Sequence, residues 1–390
     1  MRVTGWLFVL LFLAGCGQGG EEIKVLLEDI KRDFAPDKRV ALFDVRAIKK
    51  GGKYLLEGKS NLPEAVTALV AKCEDAGLKV ENKIQIYPDT TLGGKVFGVV
   101  NLSVSNIRSH PAHSAELSTQ ATLGTPLRVW TRQKGWYLVQ TPDGYLGWLD
   151  DDGFESMTEE AWKSWHTASK AVYLPQFGFA YAAAGETSAV VSDLLAGNIL
   201  GYIGETEKNF AKVFFPDGRK AFVQGDALVL FEDWLNSRNP VVENILADAH
   251  ELLGRPYLWG GTSGKGMDCS GFTKTVFFLN GIILPRDASQ QVHVGTEIPV
   301  DSTLAGLQPG DLLFFGRKAT QKEKEKITHV AIYKGDGKII HSSGRVKVES
   351  LKRGDENFNE YRLKSLVKVK RMLDTPRENG VQLVRQSPLY

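Results

Sequence analysis

Two Pro-Asp-Gly turns, Pro142-Asp143-Gly144 and Pro216-Asp217-Gly218, stand 74 residues apart in similar settings. Leu123-Gly124-Thr125-Pro126-Leu127-Arg128-Val129-Trp130 and Trp136-Tyr137-Leu138-Val139-Gln140 precede the first, and Tyr145-Leu146-Gly147-Trp148-Leu149 follows it. Leu195-Ala196-Gly197-Asn198-Ile199-Leu200-Gly201-Tyr202 and Asn209-Phe210-Ala211-Lys212-Val213-Phe214-Phe215 precede the second, and Arg219-Lys220-Ala221-Phe222-Val223 follows it. Short apolar runs between turn residues read as strands. A repeat of this kind confines the middle of the chain to two small β-barrels of about 60–70 residues, at 96–160 and 165–235.

The flanks read differently. Over residues 21–95, Glu21–Phe34 is a charged amphipathic helix, and Val40–Ile48 and Lys53–Gly58 are strands around Lys50-Gly51-Gly52. A helix over 61–76 and a strand near Lys83–Tyr87 complete a small α+β unit. Glu232–Pro240 leads into a last domain at 240–374. Residues 375–390, with Pro376, Gly380 and Pro388, read as a loosely held tail. Trp136, Trp148 and Trp259 read as core residues.

Composition is ordinary for globular protein, 43% hydrophobic and 24% charged. The net charge of +2 is spread over interspersed residues, so nothing electrostatic points to nucleic acid. At the N-terminus, Met1-Arg2 precedes the apolar Trp6–Leu13 and then Leu13-Ala14-Gly15-Cys16. This run is too short to span a bilayer and reads as a secretory signal over 1–15. It resembles the bacterial lipobox. That resemblance implies acylation of Cys16, a flexible tether over 16–20, and an extracytoplasmic lipoprotein anchored to a membrane, periplasmic or at the cell surface.

Two thiols then remain. Cys73 falls in a helical pattern and reads as a buried structural thiol. Cys269 sits in Asp268-Cys269-Ser270-Gly271-Phe272, where a helix begins and runs to Asn280-Gly281. The macrodipole and the exposed N–H groups of a helix start favour a thiolate there. A lone cysteine followed by His329 and His341 is the pattern of a nucleophile and its base. An oxidised Cys73–Cys269 pair would exclude that role. The other histidines show no metal-ligand spacing, so no metal or cofactor is expected.

His329 and His341 lie on strands around Gly335-Asp336-Gly337. Side chains alternate along a strand, so the two share a face only with an odd loop or a bulge. A three-residue loop would place them as diagonal neighbours about 7–8 Å apart.

Six ordered runs carry a family resemblance: Pro256-Tyr257-Leu258-Trp259-Gly260-Gly261, Asp268–Phe272, Leu284-Pro285-Arg286-Asp287-Ala288-Ser289-Gln290-Gln291, Pro309-Gly310-Asp311-Leu312-Leu313-Phe314-Phe315, Thr328-His329-Val330-Ala331-Ile332-Tyr333 and Ile339-Ile340-His341-Ser342-Ser343-Gly344. They resemble the NlpC family of cell-wall cysteine peptidases. The first barrel resembles the bacterial SH3-like domain through Val104–Arg108 and the paired aromatic strands. The resemblance implies an α+β chain, with a papain-like catalytic domain behind two SH3-like barrels and the N-terminal α+β unit. It implies a monomeric endopeptidase that cuts the γ-D-glutamyl–L-diamino acid amide of peptidoglycan stem peptides beginning with free L-alanine. Cys269 would be the nucleophile, His329 the base and His341 its orienting partner. Tyr257 would stand beside the nucleophile. Asp268 and Ser270 would hold the peptide's free amino end and the D-glutamate carboxylate. Asp287 or Ser289 would contact substrate from a second loop, and Tyr145 of the first barrel would close the cleft. The alternatives are a peptidoglycan-binding lipoprotein with little or no activity, and an amidase of the same fold acting on another cell-wall substrate.

Overall fold

The computed structural model describes residues 18–390, except 206–207, 239, 301–303 and 374–379. The run expected to act as a lipobox, with Cys16, lies outside the described residues. The chain divides into two compact units, 1–90 and 91–390.

In the first unit, Phe43–Lys50 and Lys53–Ser60 form a hairpin closed by Gly51 and Gly52, both at positive φ. After the helix Pro63–Asp75, the strand Val80–Ile86 joins this sheet in parallel. Right-handed crossover through a helix is the usual way to make such a pair. Ile23, Ile30, Leu56, Leu69 and Cys73 form part of its core. Cys73 and Cys269 are both free thiols.

The second unit opens with two antiparallel seven-stranded sheets. One draws its strands from 97–157 and the other from 170–230. Each has its own core: Ile107, Leu127, Val139 and Leu149 in the first, Leu194, Leu200, Val213 and Val223 in the second. The repeated Pro-Asp-Gly runs occupy equivalent hairpins, one closing between Gln140 and Leu146, the other between Phe214 and Lys220.

The last part is a sheet with three helices against one face and a short fourth helix against the other. Its elements are α1 (Val242–Glu251), α2 (Cys269–Leu279), α3 (Ala288–Gln291), β1 (Thr296–Ile298), β2 (Leu312–Arg317), β3 (Lys326–Gly335), β4 (Lys338–Ser343), β5 (Arg345–Ser350), α4 (Glu360–Lys364) and β6 (Leu366–Arg371). The strand order is β1-β6-β2-β3-β4-β5. Alternation along β2 and β3 sends Phe314, Val330 and Ile332 toward α2, where they pack with Phe272, Val276 and Phe277. Leu313, Phe315, Ala331 and Tyr333 go to the other face.

Residues 382–390 are not loosely held. Gln382–Leu383 pairs with Ile282–Ile283, Val384 is fully buried, and Tyr390 stacks against Phe231. Gly380 and Pro388 mark a bend and a turn, but the apolar residues between and after them fill a cluster with Trp234 and Ile283.

Both barrels contact this last part. Gln120 accepts hydrogen bonds from the Thr262 backbone and the Ser263 hydroxyl, at 3.0 and 2.9 Å. Lys274 pairs with Asp143 of the first Pro-Asp-Gly turn at 3.0 Å, and Lys265 pairs with Asp193 of the second barrel at 2.8 Å.

Candidate active site

Cys269 begins α2 because Asp268 caps it. The Asp268 backbone is extended, and its carboxylate accepts from the Gly271 N–H at 2.7 Å. The next turn must pass close to the Tyr257–Gly261 loop. A Cβ on Gly271 would lie 2.0 Å from the Gly261 carbonyl oxygen, so only glycine fits. The thiol is 8% exposed, and the backbone N–H groups of Val330 and Ser270 point at its sulfur. Burial, and then the Asp268 charge, push the thiol up to about 11.

The hairpin carrying the histidines closes with a tight Asp336-Gly337 turn, not the three-residue loop. A bulge at Lys334 supplies the missing residue, so Ile332 pairs with Ile340. Parity is thereby restored, and His329 and His341 share a face with ring nitrogens Nε2 and Nδ1 2.7 Å apart. The paired ladder ends at Ile332–Ile340, one residue short of His341 and three short of His329.

The line continues to a residue absent from the sequence expectations. His341 Nε2 lies 3.0 Å from Glu349 Oε2, with its N–H off the straight line to the oxygen. Glu349 is also held by Lys347 at 2.6 Å and by the Asn359 amide at 2.7 Å. The His341 contact, followed by Lys347, holds its carboxyl well below the usual range. An ionised carboxylate beside Nε2 requires a proton there. His341 Nδ1 is then the acceptor, His329 Nε2 the donor, and His329 Nδ1 the remaining basic nitrogen. Burial drives His329 down to about 2 and also lowers His341, so both imidazoles are neutral. Glu349 was hidden in the sequence because nothing in Lys347-Val348-Glu349 announces a site. Its alternation with His341 across paired strands is the one clue.

The Asp268 carboxylate is engaged within the protein. Arg286, 1% exposed, grips it with Nη2 at 2.6 Å and Nη1 at 3.1 Å, and the Gly260 N–H donates to it at 3.0 Å. Ser270 is drawn into the same buried cluster: its hydroxyl accepts from Arg286 at 3.1 Å and donates to Asp268. A buried guanidinium needs a carboxylate, and this pair supplies it. Asp268 and Ser270, expected as substrate contacts, thus stand in a buried cluster around Arg286.

Asp287 lies on the accessible side. It caps α3, is half-exposed, and accepts from the Tyr145 hydroxyl of the first barrel at 3.1 Å. Ser289 is partly exposed on the same helix turn, which Gln291 ties to α2 through the Ser270 carbonyl at 3.1 Å. Tyr257 is half-exposed, and burial followed by its proximity to Cys269 raises its phenol to about 12. It stays a hydrogen-bond donor. Trp259 is not a core residue: it is 64% exposed and donates to Glu116 of the first barrel at 2.6 Å. The barrel reaches so close to this loop that a Cβ on Gly260 would meet the Leu117 carbonyl oxygen at 2.2 Å.

Comparison with known proteins agrees with this arrangement. Residues 254–368 match the model of the NlpC/P60 family, and residues 107–154 that of the bacterial dipeptidyl-peptidase SH3 domain. The gamma-D-glutamyl-L-lysine dipeptidyl-peptidase of Bacillus subtilis is 33% identical over 234 residues, 58% of this chain and 72% of that protein. Its namesake from Bacillus cereus is 30% identical over 58% of this chain and 67% of that protein. A solved NlpC/P60 family protein from Bacillus cereus superposes with a TM-score of 0.59 at 24% identity, over 71% of this chain and all of that one, which shows a common fold.

Proposed function

The chain belongs to the NlpC/P60 family of cysteine-type cell-wall peptidases, and from that premise we propose that it hydrolyses the γ-D-glutamyl–L-diamino acid amide of stem peptides with a free N-terminal L-alanine. The observation that supports this reading is the line Glu349–His341–His329, carried on the strand whose next residue, Val330, points its backbone N–H at the Cys269 sulfur. The names of the Bacillus relatives support the bond.

His329 Nδ1 takes the Cys269 proton as the sulfur attacks the amide carbonyl. The N-terminal backbone of α2 faces the oxyanion that forms. His329 then protonates the leaving amine, and water hydrolyses the thioester. His341 and Glu349 keep the imidazole in the tautomer and orientation this needs. Asp287 with Tyr145 supports recognition of the ammonium group, and Glu116 adds a second carboxylate from the barrel side. The lipobox reading would place this activity outside the cytoplasm on a lipid anchor.

The test is hydrolysis of L-Ala-γ-D-Glu-L-Lys and its diaminopimelate analogue, followed by mass spectrometry. The wild type releases L-Ala-D-Glu and the diamino acid, and Cys269→Ala does not. Release by Cys269→Ala at the wild-type rate would remove the proposed nucleophile.

A further inference from the structure

Arg362 is a cation beside the histidines that nothing above uses. It lies on α4, whose first turn is capped by Asn359, the residue that also holds Glu349. Its guanidinium sits over the Phe315 ring at 5.6 Å, and the Phe315 ring lies 5.8 Å from the His329 ring. Phe315 and His329 are direct cross-strand partners. The side chain is half-exposed, yet its Nε is buried without a hydrogen-bond partner. Among the described residues, no carboxylate or carbonyl pairs with the guanidinium. The nearby Glu349 is engaged by His341, Lys347 and Asn359.

Two buried or partly buried arginines of this domain are matched by carboxylates: Arg286 by Asp268, and Arg371 by Asp311 at 2.7 Å. A planar guanidinium held on an aromatic ring and lacking an anion is prepared for a carboxylate. Its position says which one. His329 hands a proton to the leaving amine, so the leaving amino acid emerges beside the imidazole. In an α-amino acid the carboxylate lies two bonds from that amine.

We propose that Arg362 binds the α-carboxylate of the leaving diamino acid, making the enzyme selective for peptides that end at that residue. This inference rests on the reading of the site given under Proposed function. Two further observations agree with it. Burial lowers the pKa of Arg362, a cost that an incoming carboxylate offsets. The Arg362 charge is, after burial, the largest influence lowering His329, and neutralising it by substrate restores basicity to the imidazole when the proton must move.

The experiment compares three peptides on the full chain: L-Ala-γ-D-Glu-L-Lys, its C-terminal amide, and the D-isoglutamine form, which removes the other substrate carboxylate. The readout is the ratio of kcat/KM for the acid to that for the C-terminal amide. The wild type should show a ratio of about ten or more, and Arg362→Gln a ratio near one. Arg362→Lys should keep part of the preference. An Arg362→Gln ratio equal to that of the wild type, including the case where both peptides slow together, would overturn the proposal and make Arg362 a modulator of His329. Loss of discrimination against the D-isoglutamine peptide instead would move the contact to the D-glutamate carboxylate and overturn it too. Failure of the wild type to cut any of the three would overturn the underlying activity.

Discussion

Asp268 and Asp287 are both aspartates at helix starts, and their neighbours give them different work. Asp268 is locked to a guanidinium that is 1% exposed, whereas Asp287 meets a tyrosine from another domain. Breaking a buried pair strands the remaining charge, so Asp268→Asn should cost about 3–5 kcal/mol in chemical denaturation. Asp287→Asn should barely change stability but raise KM for the free-amine peptide about tenfold, about 1.4 kcal/mol. Equal stability losses would contradict the assignment. The histidines make a second prediction. His329 and His341 are neutral in the fold with pKa values below the ordinary range. As pH falls through about 6.5 the unfolded chain takes up protons that the fold refuses, so stability is present above that pH and lost below it. Each histidine should contribute a slope of about 1.4 kcal/mol per pH unit. His329→Gln should flatten the decline between about pH 6.5 and 5 by one such increment, and an unchanged slope would count against burial of a neutral ring.

At the scale of elements, part of the fold and site was legible in the sequence. The two Pro-Asp-Gly turns do mark equivalent hairpins, because turn chemistry is local. Strand alternation stated the condition for bringing His329 and His341 together, a longer loop or a bulge. Which one occurs depends on side-chain burial along β3 and β4, and the bulge at Lys334 meets it. What tertiary context decides was not legible. Trp259 looks like core until the first barrel offers Glu116. Arg286 reads as one more basic residue until Asp268 and Ser270 close round it. The C-terminal segment carries loop punctuation, yet it fills a groove beside Trp234 and Ile283. Val384 has no exposure there, so Val384→Ala should lower stability by about 2 kcal/mol in denaturant titration. A change within a few tenths of a kcal/mol would show that the segment is not docked.

For the whole second unit, the residues proposed for catalysis belong to one domain, while the proposed selectivity draws on the first barrel as well. Tyr145 and Glu116 reach across to Asp287 and Trp259, and Gln120 fixes the joint with Thr262 and Ser263. A peptide whose amino end is still joined to glycan carries no ammonium, so it offers nothing to these carboxylates. The most direct measurement is the rate of hydrolysis of L-Ala-γ-D-Glu-L-Lys against its N-acetylated form, in the wild type and in Asp287→Asn. The wild type should cleave the free peptide rapidly and the acetylated one at least about a hundredfold more slowly, with a narrower gap in Asp287→Asn. Equal rates on the two peptides by the wild type would contradict it.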